Sequence, residues 1–173
     1  MTRIGLLSDT HNYLDENIFR HFESCDAIWH CGDFGSAGIA AALEARAGKQ
    51  VTGVYGNIDG ADIRGVYPEQ VVFMCEEVRV MMRHIGGFPP RYNPETKRQL
   101  QLHRPQLFIS GHSHILRIMY DNAIGCLYMN PGAAGNQGWH KIRTIVRFVI
   151  DGPEIKDCEV IELGRRGGIN TSH

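Results

Sequence analysis

The sequence predicts an α/β layered sandwich, two β-sheets packed together with helices outside, formed by a single domain. Three observations carry this reading. Short apolar runs of strand length recur along the chain, helical patterns separate several of those in the first half, and after residue 105 strand follows strand. At 173 residues, 43% hydrophobic and 21% charged, the chain has the length and composition of one globular domain.

The strands are read in order as "RIGLLS" (3–8), "AIWHC" (27–31), "QVTGVY" (50–55), "QVVFMC" (70–75), "VRVMMR" (78–83) and "QLFIS" (106–110). "LDENIFRHF" (14–22) places Leu14, Ile18 and Phe22 at helical spacing. "SAGIAAALEARA" (36–47) has a Ser N-cap and Gly48 as its stop, and "NPETKRQLQLH" (93–103) opens on Pro94 and Glu95. The later strands are "ILRIMY", "AIGCLYM", "IRTIVRFVI" and "EIKDCEVIEL", with "DGP" (151–153) turning between the last two. An N-terminal βαβ half followed by a mostly antiparallel half is expected. Residues 1–163 read as the domain and "GRRGGINTSH" (164–173) as a flexible tail.

Eighteen basic and nineteen acidic residues give a net charge of −1, so no global field draws the chain to nucleic acid or an anionic membrane. The apolar run before Asp9 is four residues long, too short for a signal-peptide core or a membrane span, and a cytoplasmic protein is expected. Five cysteines, at 25, 31, 75, 126 and 158, are odd in number, scattered and without a CxxC pair, and read as reduced thiols.

The polar residues fall in a pattern that composition does not require. Asp9 and His11 follow the first strand, Asp33 the second, Asn57 the third, His84 the fifth, and His112 and His114 the sixth. In open α/β sheets the carboxyl ends of the strands meet at the crevice where ligands bind. Two carboxylates, one amide and four imidazoles suit Mn²⁺, Fe or Zn²⁺ rather than Ca²⁺. Seven ligands exceed the needs of one ion, and a carboxylate such as Asp33 can bridge two, roughly 3.5–4 Å apart. Such a pair lowers the pKa of a bridging water and polarises phosphoryl oxygens, which points to phosphoester hydrolysis. His21 and His103 lack this placement, whereas His30 and His140 stay open as supporting or substrate groups.

The ordered series "DTH" (9–11), "GD" (32–33), "GN" (56–57), the lone His84, "GHSH" (111–114) and "NPGA" (130–133) resembles the calcineurin-like metallophosphoesterases, most of all their small single-domain prokaryotic phosphodiesterase branch. The resemblance implies a four-layer αββα sandwich of two mixed β-sheets flanked by helices. It implies one metal held by Asp9, His11, Asp33 and His114, and another held by Asp33, Asn57, His84 and His112. Mn²⁺ is the commonest ion in the family, with Fe, Ni and Zn²⁺ also used. The implied activity is hydrolysis of a small phosphodiester by a metal-bridging hydroxide, with Asp33, Asn57 and His112 acting through the metal-bound water.

One position departs from the family pattern. Many members carry His after the "GN", where it assists the leaving group, and here Ile58 stands in that place. Ile donates no proton, so general-acid help worth about 10²–10⁴-fold is missing there. Two rivals follow: a non-catalytic protein-binding scaffold of the same fold, as in a eukaryotic retromer subunit, and a phosphomonoesterase. Arg83 is expected to face solvent by strand alternation. Asp59 is open between supporting a ligand imidazole and capping its turn, and the loop "GGFPPRYNP" (86–94) between a cleft wall and a plain connection. The physiological substrate and the oligomeric state are left open, a homo-oligomer included.

Overall fold

The computed structural model describes residues 1–167. In chain order the elements are β1 (Thr2–Leu7), α1 (Glu16–His21), β2 (Ala27–His30), α2 (Ala37–Ala47), β3 (Val51–Gly53), α3 (Ala61–Arg64), β4 (Gln70–Cys75) and β5 (Val78–Arg83). There follow β6 (Gly87–Phe88), β7 (Arg91–Tyr92), α4 (Pro94–His103), β8 (Leu107–Ile109), β9 (Arg117–Asp121), β10 (Cys126–Asn130), β11 (Ile142–Asp151) and β12 (Glu154–Arg165).

Two five-stranded sheets result, one in the order β12-β11-β1-β2-β3 and one in the order β4-β5-β8-β10-β9. Both are mixed. β1 runs parallel to β2 and antiparallel to β11, while β8 runs parallel to both β5 and β10. The sheets therefore do not follow the two halves of the chain. The hairpin β11–β12 returns to the N-terminal sheet and covers the edge of β1 that β2 leaves open.

Alternation along the strands sorts the core into layers. Ile4 and Leu6 of β1 face Val80, Met82, Ile109 and Phe148 between the sheets. Leu7 turns the other way, onto Ile18 and Phe22 at the first helix and Leu43 of α2. Met81 and Phe108 face outward onto Leu100 of α4. The order is helices, sheet, sheet, helix, the expected four layers.

Local chemistry sets the helix ends. Asp15 caps α1 by accepting from the Asn17 N–H, so the helix starts after Leu14. Asn93 caps α4 by accepting from Thr96 N–H, and Gly48 closes α2 in the left-handed conformation. Asp15 also takes an ion pair at 2.8 Å from Arg143, which is 1% exposed and donates to the carbonyls of Leu163 and Arg165. The start of α1 is thus tied to the last hairpin.

Three short elements lie outside the sequence reading. α3 opens after Gly60, and β6 and β7 form a small hairpin across Pro89–Pro90 within the segment read as a loop. β12 continues through Gly164 and Arg165 into the segment expected as tail, and residues 168–173 of that tail lie outside the described residues. Among the described residues no helix is long and apolar enough to cross a membrane.

Candidate metal centre

The parallel strands β1, β2, β3, β5 and β8 end on one rim, and the seven predicted residues lie in the turns beyond them. Two triads of donor atoms gather there, Asp9–His11–His114 and Asp33–His84–His112, each with its ligand atoms within 4.8 Å of one another. The amide of Asn57 joins the second, its Oδ1 lying 3.0 Å from His112 Nδ1. The triads touch: His11 Nε2 is 3.5 Å from Asp33 Oδ2, and His84 Nε2 is 3.8 Å from Asp9 Oδ1.

Each carboxylate is held by one oxygen and offers the other. Asp9 Oδ2 accepts from the Ser8 hydroxyl at 2.6 Å and the His112 N–H at 3.1 Å, while Oδ1 faces the imidazoles. Asp33 Oδ1 accepts from the Ile58 N–H at 3.0 Å, while Oδ2 faces His11 and His84. The imidazoles meet them with bare lone pairs. His84 Nδ1 lies 2.6 Å from the Cys31 carbonyl, which only accepts, so the ring proton sits there and Nε2 is bare. His140 Nε2 donates to the Gly135 carbonyl, so its Nδ1 accepts from His114 Nδ1–H and leaves His114 Nε2 bare at 3.0 Å from Asp9 Oδ1.

Acceptor facing acceptor across a buried space calls for positive charge between them. The Nε2 atoms of His11 and His84 are buried and have no hydrogen-bond partner. The electrostatics agree. The Asp9 carboxylate beside it raises the pKa of His11 against the effect of burial. For His84 burial pulls the pKa down, but the close carboxylates of Asp33 and Asp9 outweigh it. Burial would raise the pKa of Asp9, yet His11 and His114 hold it below the usual carboxylate range. An N/O set with two anionic members, unpaired lone pairs and a preference for cations fits divalent metal ions.

The backbone is bent to deliver these atoms. Asp9, His11, Asp33, His112 and His114 all adopt positive φ, between 45° and 69°. This region costs a non-glycine residue roughly 1–2 kcal/mol, and such strain gathers where geometry serves a site. Gly56 answers a different need, close approach, because a Cβ there would lie 2.0 Å from Asp33 Oδ1. Gly60 meets no such constraint.

Asp59 proves to be a turn cap. Its carboxylate accepts from the N–H groups of Gly56, Phe34 and Gly35, which binds the Asn57 turn to the Asp33 turn, and it makes no hydrogen bond with an imidazole. His30 supports from below. It accepts from Gly32 N–H and contacts the Thr10 hydroxyl, stacks on Phe34, and is driven by burial to a pKa of about 3, so it stays neutral. Asn130 of "NPGA" donates to the Gly111 carbonyl and the Ser113 hydroxyl, which fastens the "GHSH" turn. The roles of Ser8 and Asn130 were missed in the sequence, although both sit in or beside the quoted motifs.

Arg83 corrects its expectation. Its side chain is 14% exposed, paired with Glu69 at 3.1 Å and Gln70 at 3.1 Å, and it lines a groove with Tyr55, Asn57, Arg64, His84 and Ile85. Alternation puts Arg83 on the face of Met81, but α4 covers that face, and Gln70, the partner of Arg83, is hydrogen-bonded to Gln99 of α4. The groove has a volume of about 590 Å³, and Asn93, Pro94 and Glu95 add to its wall. Ile58 is 47% exposed beside it.

Residues 2–152 match the family model of a calcineurin-like phosphoesterase superfamily domain. Among solved structures, an archaeal phosphodiesterase is 20% identical, with 93% of this chain and 99% of that one covered and a TM-score of 0.74. A protein of Thermotoga maritima is 25% identical over 94% of this chain and 100% of that one, with a TM-score of 0.70. Wild-type Vps29 of Entamoeba histolytica, complexed with Zn²⁺, is 15% identical over 92% and 98%, with a TM-score of 0.71. No curated protein matches the chain at a significant level.

Proposed function

The chain belongs to the calcineurin-like phosphoesterase superfamily, and from that premise we propose that it is a divalent-metal-dependent phosphodiesterase acting on a small diester. The observation that carries the reading is the pair of touching donor triads, in which carboxylate oxygens face bare imidazole nitrogens. Asp9, His11, Asp33 and His114 would hold one ion and Asp33, Asn57, His84 and His112 a second, with Mn²⁺ first among the ions this set suits. Bound there, the two ions supply an activated water as nucleophile and polarise the phosphoryl oxygens.

The chain's own residues narrow the substrate. The Ile58 N–H orients Asp33, but its side chain has no proton to give a leaving oxygen. Diesters with acidic leaving groups are therefore favoured over alkyl monoesters. The groove beside Asn57 and His84 has room for an ester substituent. Turnover of bis-p-nitrophenyl phosphate with Mn²⁺ tests this. Activity well above an Asp33→Ala control, and above that on p-nitrophenyl phosphate, is expected; equal rates from both proteins overturn it.

The exposed Ile58 and the likeness to Vps29 favour a second reading, a protein-binding scaffold. Since Vps29 itself has been solved with Zn²⁺, metal content alone does not separate the two, and turnover does.

A further inference from the structure

The loop between β10 and β11 lies against the candidate centre. A Cβ on Gly138 would lie 2.1 Å from His114 Nδ1, and His140 hydrogen-bonds that same nitrogen. Between these two contacts stands Trp139, 97% exposed, the most exposed large apolar side chain among the described residues. Next to it is a cavity of about 470 Å³ lined by His140, Lys141, Ile142, Arg165 and Arg166. Arg166 is fixed there by donating to the His140 carbonyl at 2.7 Å. A chain of net charge −1 thus gathers three permanent cations and a bare indole face at the rim of the centre, on the His114 side.

An aromatic face beside clustered cations suits a ligand that is itself flat and anionic. Bases stack on exposed aromatic rings, and phosphates seek Lys and Arg. We propose that Trp139 and the cavity formed by His140, Lys141, Arg165 and Arg166 form a nucleotide subsite, which takes the base and an adjoining phosphate of a nucleotidyl diester. The diester's scissile phosphate then lies at the metal centre. This rests on the phosphodiesterase reading and gives it a substrate class. It also gives the wide rim on the His114 side a task distinct from that of the groove beside His84.

Binding can be read without turnover. Trp29 is 2% exposed, so quenching of tryptophan emission by a stacked base reports Trp139. Asp33→Asn protein is titrated with the 5′-phosphorylated dinucleotide pTpT, whose terminal phosphate is separate from the scissile diester, and a saturable quench is expected. Trp139→Ala should weaken binding about 5–100-fold, read by calorimetry, whereas Trp139→Tyr retains most of it. Lys141→Ala combined with Arg165→Ala should weaken the dinucleotide and leave free thymidine little changed. Absence of quenching overturns the proposal, as does a dimer in sedimentation that Trp139→Ala dissociates, which would give the indole to a second copy of the chain. A quench that persists while wild-type protein hydrolyses no diester would retain the subsite and refute the phosphodiesterase.

Discussion

The carboxylate and one histidine of each donor triad are held by different kinds of partner. In the first, Asp9 leans on the Ser8 hydroxyl as well as on a main-chain N–H, and His114 leans on the imidazole of His140. In the second, Asp33 leans on the Ile58 N–H and His84 on the Cys31 carbonyl, both of the main chain. Side-chain supports can be lost by a single substitution, whereas main-chain supports survive any residue that keeps the turn. The second triad therefore keeps its hold on Asp33 with Ile at position 58. What position 58 gives Asp33 is its amide, which Ile supplies as His would.

Substitutions can break or sharpen this contrast. The largest effect is expected at Asp33, whose Oδ2 faces an imidazole of each triad. Asp33→Ala should lower diester turnover by about 10³-fold or more, the several kcal/mol that metal ions supply to such reactions, with bound metal falling in elemental analysis. His140→Ala should weaken divalent-metal affinity by about 10–100-fold in a calorimetric titration, as loss of a partner behind a ligand imidazole does. Ile58→His should leave metal content unchanged and speed hydrolysis of poor leaving groups about tenfold, less than the roughly 10²–10⁴-fold of a positioned proton donor. Cys31→Ala keeps the carbonyl that holds His84, so metal affinity should stay within about twofold while stability falls by about 1 kcal/mol in urea. A loss of metal in Cys31→Ala like that in His140→Ala would abolish the distinction.

The strands that carry the centre were legible because apolar runs end abruptly in Asp, Asn or His. β4 and β5 match their sequence bounds, and the other strands read fall within one or two residues except β10, which begins three residues later than read. What escaped has physical reasons. The two-residue strands β6 and β7 are too short to show a period. The return of β11 to β1 depends on which sheet edge is open, and no local pattern records that. In the candidate site, residue types and order were visible, whereas the side that Arg83 faces and the acceptor role of Asp59 depend on where neighbouring turns land. The tautomer of His114 is set by a histidine 26 positions away and could not be read at all.

The hairpin that covers β1 also sets a schedule. A chain is made from its N-terminus, so β1 and the Asp9 turn emerge well before β11, the strand that flanks β1 on one side. Until then an apolar strand has an open edge, and the loop that brings His140 to His114 does not exist. Pairing of such remote segments is slow. The first triad's support is thus completed only after its ligands, and a chain that stops short of His140 would carry His114 without the imidazole that sets its tautomer.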